Sequence, residues 1–335
     1  MTMKQPRHGV IGVGFMGQVH IESLKQLVAE GVPVQLTAVA DPKPERRLGN
    51  RDQVGNLDLG ESPELLFDPA TVLGFASPDE LLAHDDIDSV SICTRTNTHV
   101  DLAIQALEAG KHVLVEKPVA LRSEEVERLQ AAQLRSGRVC MPAMCMRFWP
   151  GWDWLLDAIR SRRYGKVRSA AFRRLASPPA WSRDFYGDAR ESGGALFDMH
   201  VHDADFIVAA FGAPDDLQSC GDLNHLSSFY RYAEGPRHVV AEGGWDHSQG
   251  FPFRMRYTVI FDEATADFDM GRDPTLLLCR DGEAQPVELA TETGYVGELR
   301  HFLAATRGET ALSVTLGDAW QVIKLLERTR ALLGG

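Results

Sequence analysis

The segment at residues 12–17, Gly-Val-Gly-Phe-Met-Gly, constrains the fold of this chain more than any other feature. It follows a short apolar run and opens a helical pattern, as a GxGxxG motif does in a dinucleotide-binding βαβ unit. The first glycine allows a tight turn, the second lets the backbone approach a pyrophosphate, and the third lets helix and strand pack closely. The free N–H groups at the helix start attract phosphate. We therefore predict cofactor contacts from Gly12, Gly14, Phe15, Met16 and Gly17.

A carboxylate at the end of the second apolar run strengthens this prediction. Asp41 directly follows the run Val34–Ala40. A carboxylate at that place can bind both ribose hydroxyls of NAD, and it repels the 2′-phosphate of NADP. Asp41 therefore predicts NAD as the cofactor, whereas Arg46 and Arg47, which follow closely, leave NADP open. A glycine turn that holds no ligand is the alternative to both.

Apolar runs alternate with helical patterns over residues 1–146. This alternation predicts βαβ units with a parallel sheet, and hence an N-terminal Rossmann domain. Ser77 and Glu80 have the spacing of a capping box before a short helix. Residues 42–69 are polar and turn-rich, which predicts an ordered surface excursion or a mobile loop. The predicted strands are Gly9–Val13, Val34–Ala40, Val72–Ala76, Ser89–Cys93, His112–Val115 and Val139–Met144.

Residues 147–335 have a different pattern. A helix from Trp152 to Arg162 precedes several strand patterns, of which Phe253–Phe261 alternates most clearly between apolar and polar residues. With few helices between the strands, the sheet is expected to be open and mainly antiparallel. We therefore predict a second α/β domain for substrate binding and oligomerisation. Its other predicted strands are Val167–Leu175, His238–Trp245, Ala264–Met270, Thr275–Cys279 and Pro286–Ala290, and the closing helices are Gly297–Arg307 and Leu316–Leu333.

The composition narrows the class of partner and the compartment. The net charge is −12 and the chain has no basic block, so neither nucleic acid nor an anionic membrane is an expected partner. Five irregularly spaced cysteines without a CxxC pair indicate free thiols in a reducing compartment. No apolar run is long enough to span a bilayer. We expect a soluble, cytoplasmic protein.

Three further segments carry residues suited to chemistry. The strand Ser89–Cys93 is followed by residues 94–99, Thr-Arg-Thr-Asn-Thr-His, and the next strand by Glu116-Lys117-Pro118. Ligands of an open α/β sheet sit beyond the carboxyl ends of its strands, which places Lys117 where a reaction can occur. Asp198 and His202 are spaced i, i+4 and would share one face of a helix.

Together these segments resemble the glucose–fructose oxidoreductase / inositol dehydrogenase (Gfo/Idh/MocA) family over nearly the whole chain. The resemblance rests on GxGxxG, Glu116-Lys117-Pro118, and the later Gly193-Gly194 followed by Asp198-x-x-x-His202. It implies NAD(P)-dependent hydride transfer to or from a sugar, a polyol or a related hydroxy compound. It also implies a homodimer or homotetramer.

The resemblance assigns roles to individual residues. Lys117, Asp198 and His202 match catalytic and substrate-binding positions. Arg147 and Trp181 match positions near the substrate pocket. The sequence departs from the family pattern at Arg95, where proline is common, and at His200, where glycine is common, so the substrate stays open. The resemblance also implies that four residues line the cofactor. Three of them, Thr94, Asn97 and His99, follow the strand Ser89–Cys93, and Glu116 stands at the end of the next strand.

The sequence leaves the proton acceptor and the activity class open. A hydroxyl that loses hydride must also lose its proton, so a general base is needed, and Lys117 and His202 are both candidates. We expect no metal, because on a helix His200 faces away from His202. An NAD-using glycoside hydrolase and a non-catalytic nucleotide-binding sensor remain the alternatives to a dehydrogenase.

Overall fold

A computed structural model of the protein describes residues 5–51, 65–179 and 186–334. Much of the polar segment 42–69 lies outside these ranges, as does Trp181. The described part divides into two compact units. The first contains residues 1–145 and 294–319, and the second contains residues 146–293 and 320–335.

The first unit is built on a six-stranded sheet of order β3-β2-β1-β4-β5-β6 in which every neighbouring pair is parallel. This is the strand order of a Rossmann fold, and the order reverses between β1 and β4, where such folds bind their ligands. The strands are β1 Arg7–Ile11, β2 Gln35–Ala40, β3 Leu73–Phe75, β4 Ser89–Ile92, β5 His112–Glu116 and β6 Cys140–Ala143.

Helices connect these strands. The Ser77 hydroxyl accepts the Glu80 N–H, and the Glu80 carboxylate accepts the Ser77 N–H. The predicted capping box is therefore confirmed. Gly137, in a left-handed conformation, ends one of these helices. The helices are α1 Phe15–Ala29, α2 Pro44–Arg47, α3 Pro78–Leu82, α4 His99–Glu108 and α5 Ser123–Ser136.

The second unit is built on an eight-stranded sheet of order β14-β13-β12-β11-β7-β10-β9-β8. It is mainly antiparallel, as predicted, and β7 with β10 is its parallel pair. Two of these strands, β8 and β9, were not predicted, and the last strand lies earlier than Pro286–Ala290. The strands are β7 Val167–Leu175, β8 Asp216–Gly221, β9 His225–Arg231, β10 His238–Gly244, β11 Arg254–Phe261, β12 Thr265–Asp269, β13 Leu276–Arg280 and β14 Glu283–Pro286.

One face of this sheet forms the core of the second unit. Trp152 is fully buried there and packs edge-on against Phe206 and Tyr257 at centroid distances of 5.0 and 5.4 Å. Along β11 every second side chain is buried, which is the alternation predicted for this strand. The helices of the later part of the chain are α6 Trp152–Arg160, α7 Ala189–Ser192, α8 Gly194–Asp198, α9 His200–Phe211, α10 Gly294–Thr306 and α11 Leu316–Leu332.

Residues 294–319 belong to the first unit, whereas the sequence-based boundary assigned them to the second. The physical reason is that α10 packs against α1. Arg300 donates to Glu30 at 2.6 Å, and Phe302 meets His8 edge-on at 6.1 Å. Among the described residues, no helix combines the length and the apolar character needed to cross a lipid bilayer.

Candidate functional site

The glycine loop has the geometry of a dinucleotide cradle. Gly12 has φ +86°, and a Cβ there would lie 2.6 Å from the Cys93 carbonyl oxygen. A Cβ on Gly17 would overlap the Gly12 carbonyl oxygen. At Gly14, by contrast, the nearest atom to an added Cβ is an Arg46 guanidinium nitrogen at 3.8 Å, so this side is open. Tight packing at two glycines and open space at the third fit a pyrophosphate over the start of α1.

Asp41 follows β2 and its carboxylate is held in place by three donors. One oxygen accepts the Val13 N–H at 2.8 Å and an Arg46 N–H at 3.2 Å, and the other accepts the Lys43 N–H at 2.9 Å. Asp41 is buried, while Arg46 is partly exposed. The carboxylate that would hold the NAD ribose therefore carries a guanidinium beside it, which is a donor suited to a 2′-phosphate.

The loop after β4 is tied to the loop after β5 by His99. Its ring lies between two carbonyl oxygens, that of Pro118 at 2.9 Å from Nδ1 and that of Thr94 at 3.1 Å from Nε2. Burial lowers the pKa of His99. Thr94 is fixed by its hydroxyl contact with Thr98 at 2.7 Å, and Asn97 is exposed. His99 thus holds together the two loops that carry Thr94 and Lys117.

Lys117 is half-buried and directly follows β5. Its backbone N–H donates to one carboxylate oxygen of Glu116 at 3.0 Å, and the other oxygen is 3.0 Å from Nε2 of His20. Glu116 is 4% exposed. Burial raises the pKa of this carboxyl, but the His20 hydrogen bond and the Lys117 charge outweigh burial and leave that pKa lowered.

His20 and Glu298 are the residues that the sequence analysis missed in this unit. Glu298 lies in α10 and is 1% exposed, and neither of its carboxylate oxygens has a hydrogen-bond partner among the described residues. Its carboxylate, that of Glu116 and the His20 ring each offer a polar atom within 4.8 Å of the others. No local pattern signals this group, because its members come from α1, β5 and α10.

Asp198 and His202 lie in the second unit and are both half-buried. They do not lie on one regular helix, because α8 ends at Asp198 and α9 begins at His200 after a distorted Met199. The His202 N–H reaches the Met199 carbonyl at 3.2 Å. The break between the two side chains is a single residue, because Met199 keeps a right-handed helical backbone and its N–H still donates to the Ala195 carbonyl at 2.9 Å.

The departure at His200 has a structural explanation. His200 is fully buried and its Nε2 is 2.8 Å from the Tyr230 hydroxyl. Burial, with a smaller contribution from the Arg174 charge, lowers the pKa of His200 to about 4. Arg174 also binds both oxygens of the buried Asp203, at 3.2 and 3.1 Å. A neutral histidine packs inside this unit in place of the glycine that is common in the family.

Arg147 is also buried, with its side chain 4% exposed. It binds Asp205 of α9 through two hydrogen bonds of 2.8 and 2.6 Å. A bidentate pair of this kind fixes the planar guanidinium and leaves it few donors. Arg147 therefore braces the segment after β6 against α9, and Trp181, its expected neighbour at the substrate, lies outside the described residues.

A histidine and acid cluster on the second unit was not predicted. One polar atom each of His225, Asp246 and His247 lies within 4.8 Å of the others. His225 already contacts Asp246 at 2.7 Å through Nδ1 and Glu242 at 3.1 Å through Nε2. Burial opposes the charged ring, but these two carboxylates raise the pKa of His225. A histidine that donates from both nitrogens is an ion-pair partner and has no lone pair for a metal.

These features define a two-domain dinucleotide-binding protein, and comparison with known proteins identifies its family. A family profile described as "Oxidoreductase family, NAD-binding Rossmann fold" matches residues 7–144. One described as "GFO/IDH/MocA C-terminal domain" matches residues 153–265. The chain belongs to the Gfo/Idh/MocA family, which confirms the resemblance, the fold class and the NAD-binding domain predicted from the sequence.

Similar proteins and a similar solved structure agree with this family assignment. An uncharacterized oxidoreductase, ORF334 of Rhizobium meliloti, is 32% identical over 65% of this chain, and the match spans 60% of that protein. Myo-inositol 2-dehydrogenase of Thermotoga maritima is 29% identical over 70% of this chain and 67% of its own length. The structure of UDP-N-acetylglucosamine 3-dehydrogenase from Acidithiobacillus ferrooxidans has the same fold, with a TM-score of 0.77 and 23% identity over 99% of this chain and 98% of that one.

Proposed function

We propose that the protein is an NAD-dependent dehydrogenase or reductase that acts on a CH–OH group of a sugar, a polyol or a related hydroxy compound. The observation that carries the proposal is the first unit itself, with an open glycine loop at the strand-order reversal and Lys117 after β5. The names of the relatives support the substrate class, since they act on a cyclic polyol and on a nucleotide sugar.

The residues of the glycine loop and Asp41 would hold the cofactor. Gly12, Gly14 and Gly17, with Phe15 and Met16, would cradle the pyrophosphate, and Asp41 the adenosine ribose. Thr94 and Asn97 would lie along the nicotinamide half, with His99 and Glu116 behind them as supports. When bound, the nicotinamide accepts or gives the hydride.

The chain's own residues would move the proton. Lys117 would take the hydroxyl proton during oxidation and return it during reduction, because it directly follows β5 at the carboxyl end of a parallel sheet, where such folds bind their ligands. Asp198 and His202, which match the family's substrate-binding positions, would bind and orient substrate hydroxyls. Arg147 would shape that region through its pair with Asp205.

A single assay tests the activity class. Protein, NAD and a panel of sugars and polyols are mixed, and the NADH absorbance band is followed. Net NADH formation on at least one compound is expected. Product without net NADH would indicate redox-assisted glycoside hydrolysis, and nucleotide binding with neither outcome would indicate a sensor.

Assembly and location are part of the same proposal. The outer face of the second sheet exposes apolar side chains, with Phe229 43% and Ile260 40% accessible, and such a face suits a second copy of the chain. All five cysteines are free thiols, which suits the cytoplasm. We expect a homodimer or homotetramer at micromolar concentration, and a sedimentation mass near 37.0 kDa would contradict this.

A further inference from the structure

A chain of buried hydrogen bonds runs through the first unit to Glu116. His8 lies between the hydroxyls of Ser89 and Ser91, at 2.8 and 2.9 Å, and Ser91 is 3.0 Å from Nδ1 of His20. Nε2 of His20 is 3.0 Å from Glu116. Each of these residues is at most 4% exposed. This series of hydrogen bonds links β1, β4 and α1 to Glu116, the residue that precedes Lys117.

The donor and acceptor capacities of these side chains give the series of hydrogen bonds a direction. An ionised carboxylate only accepts, so Nε2 of His20 donates to Glu116. In the tautomer that carries its proton on Nε2, His20 accepts from Ser91 at Nδ1, Ser91 accepts from His8, and His8 accepts from Ser89. Burial and the neighbouring His20 lower the pKa of His8 to about 3, in keeping with a neutral ring. Every bond is then donated toward Glu116, which stabilises its carboxylate form.

Glu298 is the second acid of this group, and within the part of the chain that the structure describes neither of its oxygens has a hydrogen-bond partner. Two ionised carboxylates this close in a buried place repel each other and are costly to desolvate, so such a pair keeps one proton. Burial and then the Glu116 charge raise the pKa of Glu298 well above its usual value. Burial, and then the Glu116 charge, raise the pKa of the Cys93 thiol. The titratable groups that face the pair are His20 of α1, Lys117 after β5, Cys93 after β4 and, through Ser91, His8 of β1.

We propose that Glu298, Glu116 and His20 form a buried proton-sharing group that positions Lys117. Glu298 holds the proton, Glu116 stays a carboxylate through its bond from His20, and that carboxylate fixes the Lys117 backbone. His20 and Glu298 are positioning residues here, and the inference rests on the proposed function in that Lys117 handles the substrate proton.

The proton on Glu298 is tested by infrared spectroscopy of the full chain at pH 7.5. Exposed carboxyls are ionised there, so a protonated buried carboxyl gives a separate carbonyl band. We expect this band in the wild type and in the control Glu124→Gln, which changes an exposed glutamate, and its loss in Glu298→Gln. Absence of the band from the wild type would overturn the proposal even if Glu298→Gln does not fold. Elemental analysis of the same sample gives a second test. One divalent metal ion per chain in the wild type, lost in Glu298→Gln, would also overturn the proposal.

The link to Lys117 is tested without substrate. The chain has seven lysines, so after reductive ¹³C-methylation the Lys117 signal can be assigned by its absence from the NMR spectrum of Lys117→Arg. We expect Glu116→Gln to shift the Lys117 signal, because this variant changes the side chain that accepts the Lys117 N–H and contacts His20. The control Glu124→Gln should leave the signal in place, and a Lys117 signal that Glu116→Gln does not shift would overturn the link. The proposed function fails separately, if Lys117→Ala keeps its turnover while both spectroscopic results stand.

Discussion

Among single residues, Lys117 matters most for the proposed dehydrogenase activity. A positioned acid or base typically contributes 10²–10⁴-fold to rate, so Lys117→Ala should lower turnover by about that factor. NAD binding should persist, because the glycine loop and Asp41 are untouched. Lys117→Arg should rescue little, since a guanidinium does not release its proton near neutral pH. Stopped-assay turnover and NAD titration measure both effects.

Near-normal turnover of Lys117→Ala would assign the proton transfer to His202 instead. The control is Lys166→Ala, which removes an exposed lysine of the second unit. It should leave turnover and NAD binding unchanged.

Arg147 is the residue for which the structure suggests a different role from the family resemblance. Its buried pair with Asp205 predicts that Arg147→Met costs about 3–5 kcal/mol of stability, because the Asp205 carboxylate stays buried after it has lost both hydrogen bonds to the guanidinium. The double variant Arg147→Met, Asp205→Leu should recover most of that loss. Urea unfolding of the three proteins measures this. A stable Arg147→Met with a raised KM would instead show a direct substrate contact.

At the scale of elements, the β1–loop–α1 unit and its neighbour β2 set the choice of cofactor. Asp41 favours NAD, but Arg46 lies 3.2 Å from its carboxylate. We expect the wild type to bind NAD more tightly than NADP, and Asp41→Ser to reverse the order, because the carboxylate that repels a 2′-phosphate is removed and the Arg46 guanidinium stays in the first unit beside that position. Calorimetry with both dinucleotides measures the ratio. Equal or tighter NADP binding by the wild type would show that Arg46 already overrides the carboxylate.

Elements that carry a local signal could be predicted from the sequence. The glycine loop, Asp41 and Lys117 each stand next to a strand whose apolar run is visible. Strand β9 was missed because Ser228 is a buried polar residue, bonded to Ser219 at 2.9 Å, and so disrupts the apolar alternation. Strand β14 was placed too late although Asp281-Gly282, both with positive φ, is a hairpin signal that fixes Arg280 opposite Glu283.

Contacts between distant segments could not be predicted. His20, Glu116 and Glu298 meet only because α1, β5 and α10 pack together, and nothing near any one of them indicates the other two. The same holds for Arg147 and Asp205, which are 58 positions apart. Sequence patterns thus located the cofactor loop and Lys117, whereas the groups that support them required the tertiary structure.

At the scale of the whole molecule, buried neutral histidines make stability depend on pH. The pKa of His200 is lowered to about 4, below its unfolded value of about 6.5. Between these values the unfolded chain binds a proton that the folded chain does not, so stability is lost as the pH falls from about 6.5 to 4. The contribution of one such histidine approaches about 1.4 kcal/mol per pH unit. His200→Gln should flatten the fall in Tm over this range, and an unchanged slope would show that His200 is charged in the folded protein.

The proposed reaction moves a hydride between a carbinol carbon and NAD. The most direct test uses the best compound of the sugar and polyol panel, deuterated at its carbinol carbons, and mass analysis of the NADH formed. We predict one deuterium per NADH, with the Lys117→Ala variant forming the same labelled product at a rate lower by about 10²–10⁴-fold. Unlabelled NADH, or product without any NADH, would contradict the claim.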